Sequence, residues 1–178
     1  MKSSLYLSAC LCLLCILVSC NTTTPQKYFT TAVLNSNMLV GFANGGFERQ
    51  LESPPAKAII GQDMIVTMKS AQFLSSRIQM LEEDFAAIKN LNATGDAKNI
   101  LQPAIAMYAF ALPVYKNEYR QLADLYDDHA SIEMIAALKQ LIHDKYAAGF
   151  ERLYQQLIAS GKLYATKHDI KVNWNVGI

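Results

Sequence analysis

Apolar residues recur along much of the chain at alternating steps of four and three, the spacing that holds side chains on one face of a helix. The longest run is Ile60, Met64, Thr67, Ala71, Leu74, Ile78, Leu81, Phe85 and Ile88. Such a seam predicts a long helix that packs through that face. Asn92-Ala93-Thr94-Gly95-Asp96 closes it, with Gly95 suited to a left-handed cap and Asp96 to capping the next helix. A second seam follows in Leu101, Ile105, Tyr108, Leu112, Tyr115, Tyr119, Leu122 and Tyr126. Pro103 falls in its first turns, where proline is tolerated, but Pro113 lies inside and predicts a kink near 109–112. Beyond the corner Asp127-Asp128-His129-Ala130, Ser131 is placed to cap a third helix and Glu133 to favour its first turn. That helix carries Ile135, Leu138, Ile142, Tyr146, Gly149 or Phe150, Leu153, Leu157 and Tyr164.

The flanking segments are weaker in pattern. From Tyr28 to about Phe42 a helix is predicted with Phe29, Val33 and Val40 on one face, interrupted by Asn37. Gly45-Gly46 ends it, and Ser53-Pro54-Pro55 forbids regular helix. Residues 43–58 therefore read as a long connection, with room for a helical turn around 47–51. At the other end Ile170, Val172, Trp174 and Val176 alternate with Lys171, Asn173 and Asn175, a strand-like period. A lone strand must pack over the body, stay loose or pair with something else. The fold class expected is all-α. It is an antiparallel bundle of three helices, each of roughly 30 residues or 45–50 Å. A weaker N-terminal helix and an extended C-terminal tail complete it. The bundle domain spans 28–168 and the tail 169–178.

The first twenty residues change the picture. Residues 5–18 form an apolar run of 14 residues behind a single positive charge at Lys2. A membrane-spanning helix needs about 20 apolar residues, so this length suits a signal-peptide core. It ends in Leu17-Val18-Ser19-Cys20, which resembles the lipobox of bacterial lipoproteins. That resemblance covers the leader alone. It implies cleavage before Cys20, acyl chains on that cysteine and membrane attachment through them. It divides the chain into a signal peptide, 1–19, and a lipidated cysteine with its polar tether, 20–27. In Gram-negative lipoproteins a residue other than Asp after the cysteine goes with the outer membrane. Asn21, with no acidic cluster behind it, therefore points to the periplasmic face of that membrane.

The four cysteines are Cys10, Cys12, Cys15 and Cys20, so a chain cut there keeps one, which carries lipid. No disulfide or thiol metal site is then expected. The full chain has 16 basic and 15 acidic residues. Losing Lys2 leaves 15 of each, a net charge of zero. That is poor material for nucleic-acid binding, which needs clustered positive charge.

Chemistry-bearing residues are sparse. Tyr108, Tyr115, Tyr119 and Tyr126 share one seam and form a candidate ligand groove; the alternative is a core whose hydroxyls reach the bundle rim. Asp124, Asp127, Asp128 and His129 are the one dense set of potential metal ligands, but capping and solvation account for them, and no metal site is assigned. The glutamate and Glu-x-x-His pattern of a di-iron bundle is missing, as are a nucleophile elbow and a phosphate-binding glycine loop. Trp174, the single tryptophan, is either a partner contact or a cover for one end of the bundle. The expected function is a lipid-anchored, non-enzymatic helical module, without cofactor, that binds or scaffolds another protein of the envelope. The alternative is a lipoprotein that binds a small ligand or metal through the tyrosine groove or the aspartate corner.

Overall fold

The computed structural model describes residues 23–59, 64–93 and 95–174, with side chains outside 56–66. Cys20 and its leader, Ile60, Thr94 and Val176 lie outside the described residues. Over the rest the chain is overwhelmingly helical and bundle-like. The hydroxyl of Thr24 accepts the Lys27 N–H at 3.2 Å and so caps α1 (Pro25–Phe29), whose proline stands at the first helical position. The N-terminal helix then loosens into a wide turn over Thr30–Leu34 and a tight one over Asn35–Leu39. Phe29 and Val33 are buried as expected, but Val40 is 38% exposed, because the helix stops at Leu39 and the backbone of Val40 is extended.

A sharp bend follows. Gly41, Ala43 and Gly45 all take left-handed backbone, at φ of 95°, 52° and 84°. The bend closes on itself so tightly that a Cβ on Gly46 would stand 2.6 Å from the Gly41 Cα. It delivers α2 (Gly46–Glu52), the turn expected around 47–51, which ends before Pro54-Pro55. Next come antiparallel strands β1 (Ala56–Ile59) and β2 (Met64–Thr67), in register Ala56↔Thr67 to Ile59↔Met64.

The first long helix is shorter than its seam. α3 runs Ser70–Lys89, and Ala71, Leu74, Ile78, Leu81, Phe85 and Ile88 face the body. Met64 and Thr67 belong instead to β2. The contiguous run Met64-Ile65-Val66-Thr67 satisfies a helical period and a strand equally, and its β-branched residues favour the strand. Asp96 is corrected too. It does not cap the next helix, α4 (Lys98–Lys116), which a short turn at Gly95–Ala97 precedes. Its carboxyl takes Lys167 Nζ at 2.8 Å and His168 Nε2 at 2.9 Å. Gly95 does sit in left-handed backbone, at φ 53°.

The second seam forms two helices rather than one kinked helix. α4 ends at Lys116, Asn117 interrupts at φ −112° and ψ −77°, and α5 covers Glu118–Asp127. Pro113 sits within α4 on its exposed side, as does Ala109, so water can satisfy the carbonyl left without a partner. The break comes one turn later. There the Asn117 side-chain amide donates to the Pro113 carbonyl at 2.8 Å. α4 is the central element, burying Ile100, Ala104, Met107, Ala111 and Val114 besides its seam. α6 (Ile132–Lys167) has the predicted length and cap, Ser131 accepting from Met134 N–H at 3.4 Å.

Contacts between these helices run in reverse order along their sequences. Ser75 meets Arg120, Glu82 meets Lys116 and Phe85 stacks on Tyr108. On the other side, Tyr146 meets Glu118 and His168 meets Asp96. The tail forms no strand over its described part. Ile170, Val172 and Trp174 instead pack half-buried on the body.

Gly46→Ala is expected to cost about 1–3 kcal/mol by overpacking the bend, read as a lowered urea midpoint; an unchanged midpoint would show that the bend can open. Hydrogen bonds from Lys167 and then His168 hold the partly buried Asp96 carboxyl down at about 2, against an ordinary 3.8. This stabilisation is complete above pH 3.8 and disappears as pH falls through about 2. Asp96→Asn is therefore expected to lower the melting temperature at neutral pH and to flatten its decline across that window.

Candidate functional site

A cleft of about 1040 Å³ lies where α2, the joint between β2 and α3, the end of α5 and the start of α6 converge. Helical spacing explains its walls. Ile132, Ile135, Ala136, Lys139 and His143 recur at three- and four-residue steps, so one face of the first turns of α6 forms one side. Glu48 and Glu52, one turn apart on α2, form another. Below them the end of α5 is tied to the start of α3. The Asp127 carboxyl accepts the Ser70 N–H at 2.8 Å and the Ala71 N–H at 3.0 Å, capping α3 from a distance in sequence.

Glu48 is the unusual residue, a carboxyl only 2% exposed. Its Oε1 accepts from the Tyr119 hydroxyl at 3.1 Å, and that hydroxyl in turn accepts the Ala43 N–H at 2.8 Å. Its Oε2 is buried with no hydrogen-bond partner, as are the hydroxyls of Tyr115 and Tyr126. Unsatisfied buried polar atoms are uncommon in folded proteins, and two of them, Glu48 Oε2 and the Tyr126 hydroxyl, belong to residues that line this cleft. Burial raises the pKa of Tyr115 and Tyr119 well above the usual phenol value. Tyr126 is pushed up to about 12, by burial first and then by Glu52 and Glu48. All three are neutral hydroxyls at physiological pH.

The four tyrosines of the second seam do not line a common groove. Tyr108, Tyr115 and Tyr119 are fully buried in the body, and Tyr126 alone reaches the cleft. Tyr108 lies further along α4, its hydroxyl donating to the Asn35 carbonyl at 3.1 Å. The seam continues through the Asn117 break, so its later tyrosines turn toward α2 rather than outward. Of the aspartate corner, Asp127 serves as the cap described, while Asp124, Asp128 and His129 are exposed. Among the described residues no three acidic, histidine or cysteine side chains are placed to hold a metal ion. Trp174 lies elsewhere, edge-on to Phe29 at 5.9 Å with Lys162 Nζ 5.7 Å from its ring centroid.

Sequence reasoning missed Glu48. The available signal was its place between Phe47 and Leu51 in a turn whose apolar residues had to be buried. Position alone could not reveal that the carboxyl would face Tyr119, 71 residues away.

Two conservative substitutions separate the hydroxyls. Tyr119→Phe strands the Ala43 N–H and one Glu48 oxygen, and is expected to cost on the order of 3 kcal/mol. Tyr115→Phe removes an unpartnered hydroxyl at constant shape, and is expected to be neutral or stabilising by up to about 1 kcal/mol. Chemical denaturation of both variants checks the contrast, and equal losses would contradict it. In comparisons with family models, curated proteins and solved structures, the chain matches none.

Proposed function

We propose that this chain is an envelope lipoprotein, held on a membrane through lipid on Cys20, and that it acts as a non-enzymatic binding module with the α2–α6 cleft as its binding element. The observation that carries this reading is the Glu48 carboxyl, a buried acceptor with one oxygen unused, on a residue that lines the α2–α6 cleft. An unsatisfied polar group of this kind costs folding free energy, so its retention is better explained by binding than by stability. The antiparallel three-helix arrangement expected from the seams supplies a rigid frame for it.

The cleft residues favour holding a ligand over transforming one. Ser70 spends its hydroxyl on the Leu51 carbonyl at 2.6 Å, and Asp127 spends both oxygens on backbone N–H groups. The lipobox leader supports attachment, and Asn21 supports the periplasmic face of the outer membrane. The second reading, a scaffold for an envelope protein, draws on Ile132 and Met134, which are 75% and 56% exposed at the cleft end of α6.

Fractionation tests the anchor. Wild-type chain is expected in membranes and labelled by palmitate, and Cys20→Ala is expected unlabelled and either soluble or uncleaved. Labelling and membrane retention of that variant would remove the lipoprotein reading. Native mass spectrometry of protein released gently from membranes tests the module. A small-molecule adduct supports the cleft reading, and a stoichiometric protein partner without one replaces it with the scaffold.

A further inference from the structure

The wall containing Glu48 offers more hydrogen-bond acceptor capacity than the protein uses. Arg77, which could have served Glu48, is held over the rings of Phe47 and Phe73 at 5.6 and 5.7 Å. Its guanidinium donates to the Met38 carbonyl at 3.3 Å and to Gln50 Oε1 at 2.9 Å. No cation among the described residues pairs with Glu48, whose Oε2 is buried and unused. Tyr126, whose hydroxyl is also buried and unpartnered, lines the same cleft.

The local charge and the lining select among possible ligands. Glu48, Glu52 and Asp127 face the cleft against Lys69 and Lys139, an excess of one acid. The protein already presents one ammonium to this wall, since Lys139 Nζ stands 4.0 Å from Glu52 Oε2. Its alkyl stem comes from the α6 face that also carries Ile135. A carboxyl oxygen lacking a donor in a water-poor wall is complemented most strongly by a charged donor. The Tyr126 phenolic oxygen can accept a further N–H, and flanking apolar side chains can shield a short hydrocarbon. The volume is that of a small-molecule site, about 300–1000 Å³ in typical proteins.

We infer that the cleft binds a small aliphatic primary amine, its ammonium on Glu48 Oε2 and the Tyr126 hydroxyl and its hydrocarbon along Ile135 and Met68. This deepens the binding-module reading and rests on it. Lys139 acts there as an internal competitor, loosely occupying the acidic wall until a ligand displaces it.

The test titrates n-butylammonium, butyrate and butan-1-ol into the full chain in detergent micelles, following the methyl signals of Ile135 and Met68. The expected result is a saturable shift with n-butylammonium alone. Glu48→Gln, which places an amide N–H₂ where the free oxygen stands, should weaken it at least about tenfold. Tyr126→Phe should weaken it less, and Lys139→Met should tighten it. These two variants keep the test decisive if Glu48→Gln does not fold. Equal shifts with butan-1-ol or butyrate, or n-butylammonium binding that ignores all three substitutions, would overturn the amine inference while leaving the cleft a ligand site. Silence from all three probes would overturn both.

Discussion

One hydroxyl organises the end of the molecule that matters most. Tyr119 receives the Ala43 N–H and donates to Glu48, so a single side chain on α5 fixes a strained bend and a buried carboxyl together. Ala43 holds left-handed backbone at φ 52°, a conformation that costs a residue with a side chain about 1–2 kcal/mol. The bond to Tyr119 and the burial of the Ala43 methyl offset that cost. Phe47, in the first turn of α2, then packs edge-on against Tyr119 at 4.9 Å and Tyr115 at 4.8 Å. So short a helix has little stability of its own, and this anchorage joins the Ser70 bond to the Leu51 carbonyl and the Arg77 bond to Gln50 in holding it.

The periodic parts of the fold were legible in the sequence and the contact-dependent parts were not. Leu74, Leu81 and Ile88 on α3 and Ile142, Phe150 and Leu157 on α6 are buried where the seams put them. Spacing alone could not place the boundaries. The start of α3 depends on Asp127, which is near it only after folding. At the Asn117 break the side-chain amide joins the Asn117 backbone N–H on the Pro113 carbonyl, a contact that spacing does not announce. The error at Asp96 has this origin, since the distant Lys167 and His168 claim its carboxyl. At Met64, by contrast, two periods fitted and β-branched residues paired with the neighbouring strand.

The tyrosine stripe shows the same limit at the level of the site. Four tyrosines in one seam imply hydroxyls needing partners, but not where the partners come from. Tyr108 finds the carbonyl of Asn35, Tyr119 finds Ala43 and Glu48, and Tyr115 and Tyr126 find none. The carboxyl that joins two of these residues to a cavity comes from a segment whose pattern suggested only a connection. Chemistry arose where a weakly patterned segment folded against a strongly patterned one.

The packing of Trp174 on Phe29 has a mechanical meaning. It brings the last described residues against the first helix, and Val33 meets α6 at Gly161. From there to His143, the nearest cleft residue on α6, is 18 residues, or roughly 27 Å of continuous helix. The stretch of α6 between that contact and the cleft is therefore a stiff strut. That strut sets the cleft and the Phe29–Trp174 clasp at opposite ends of one helix.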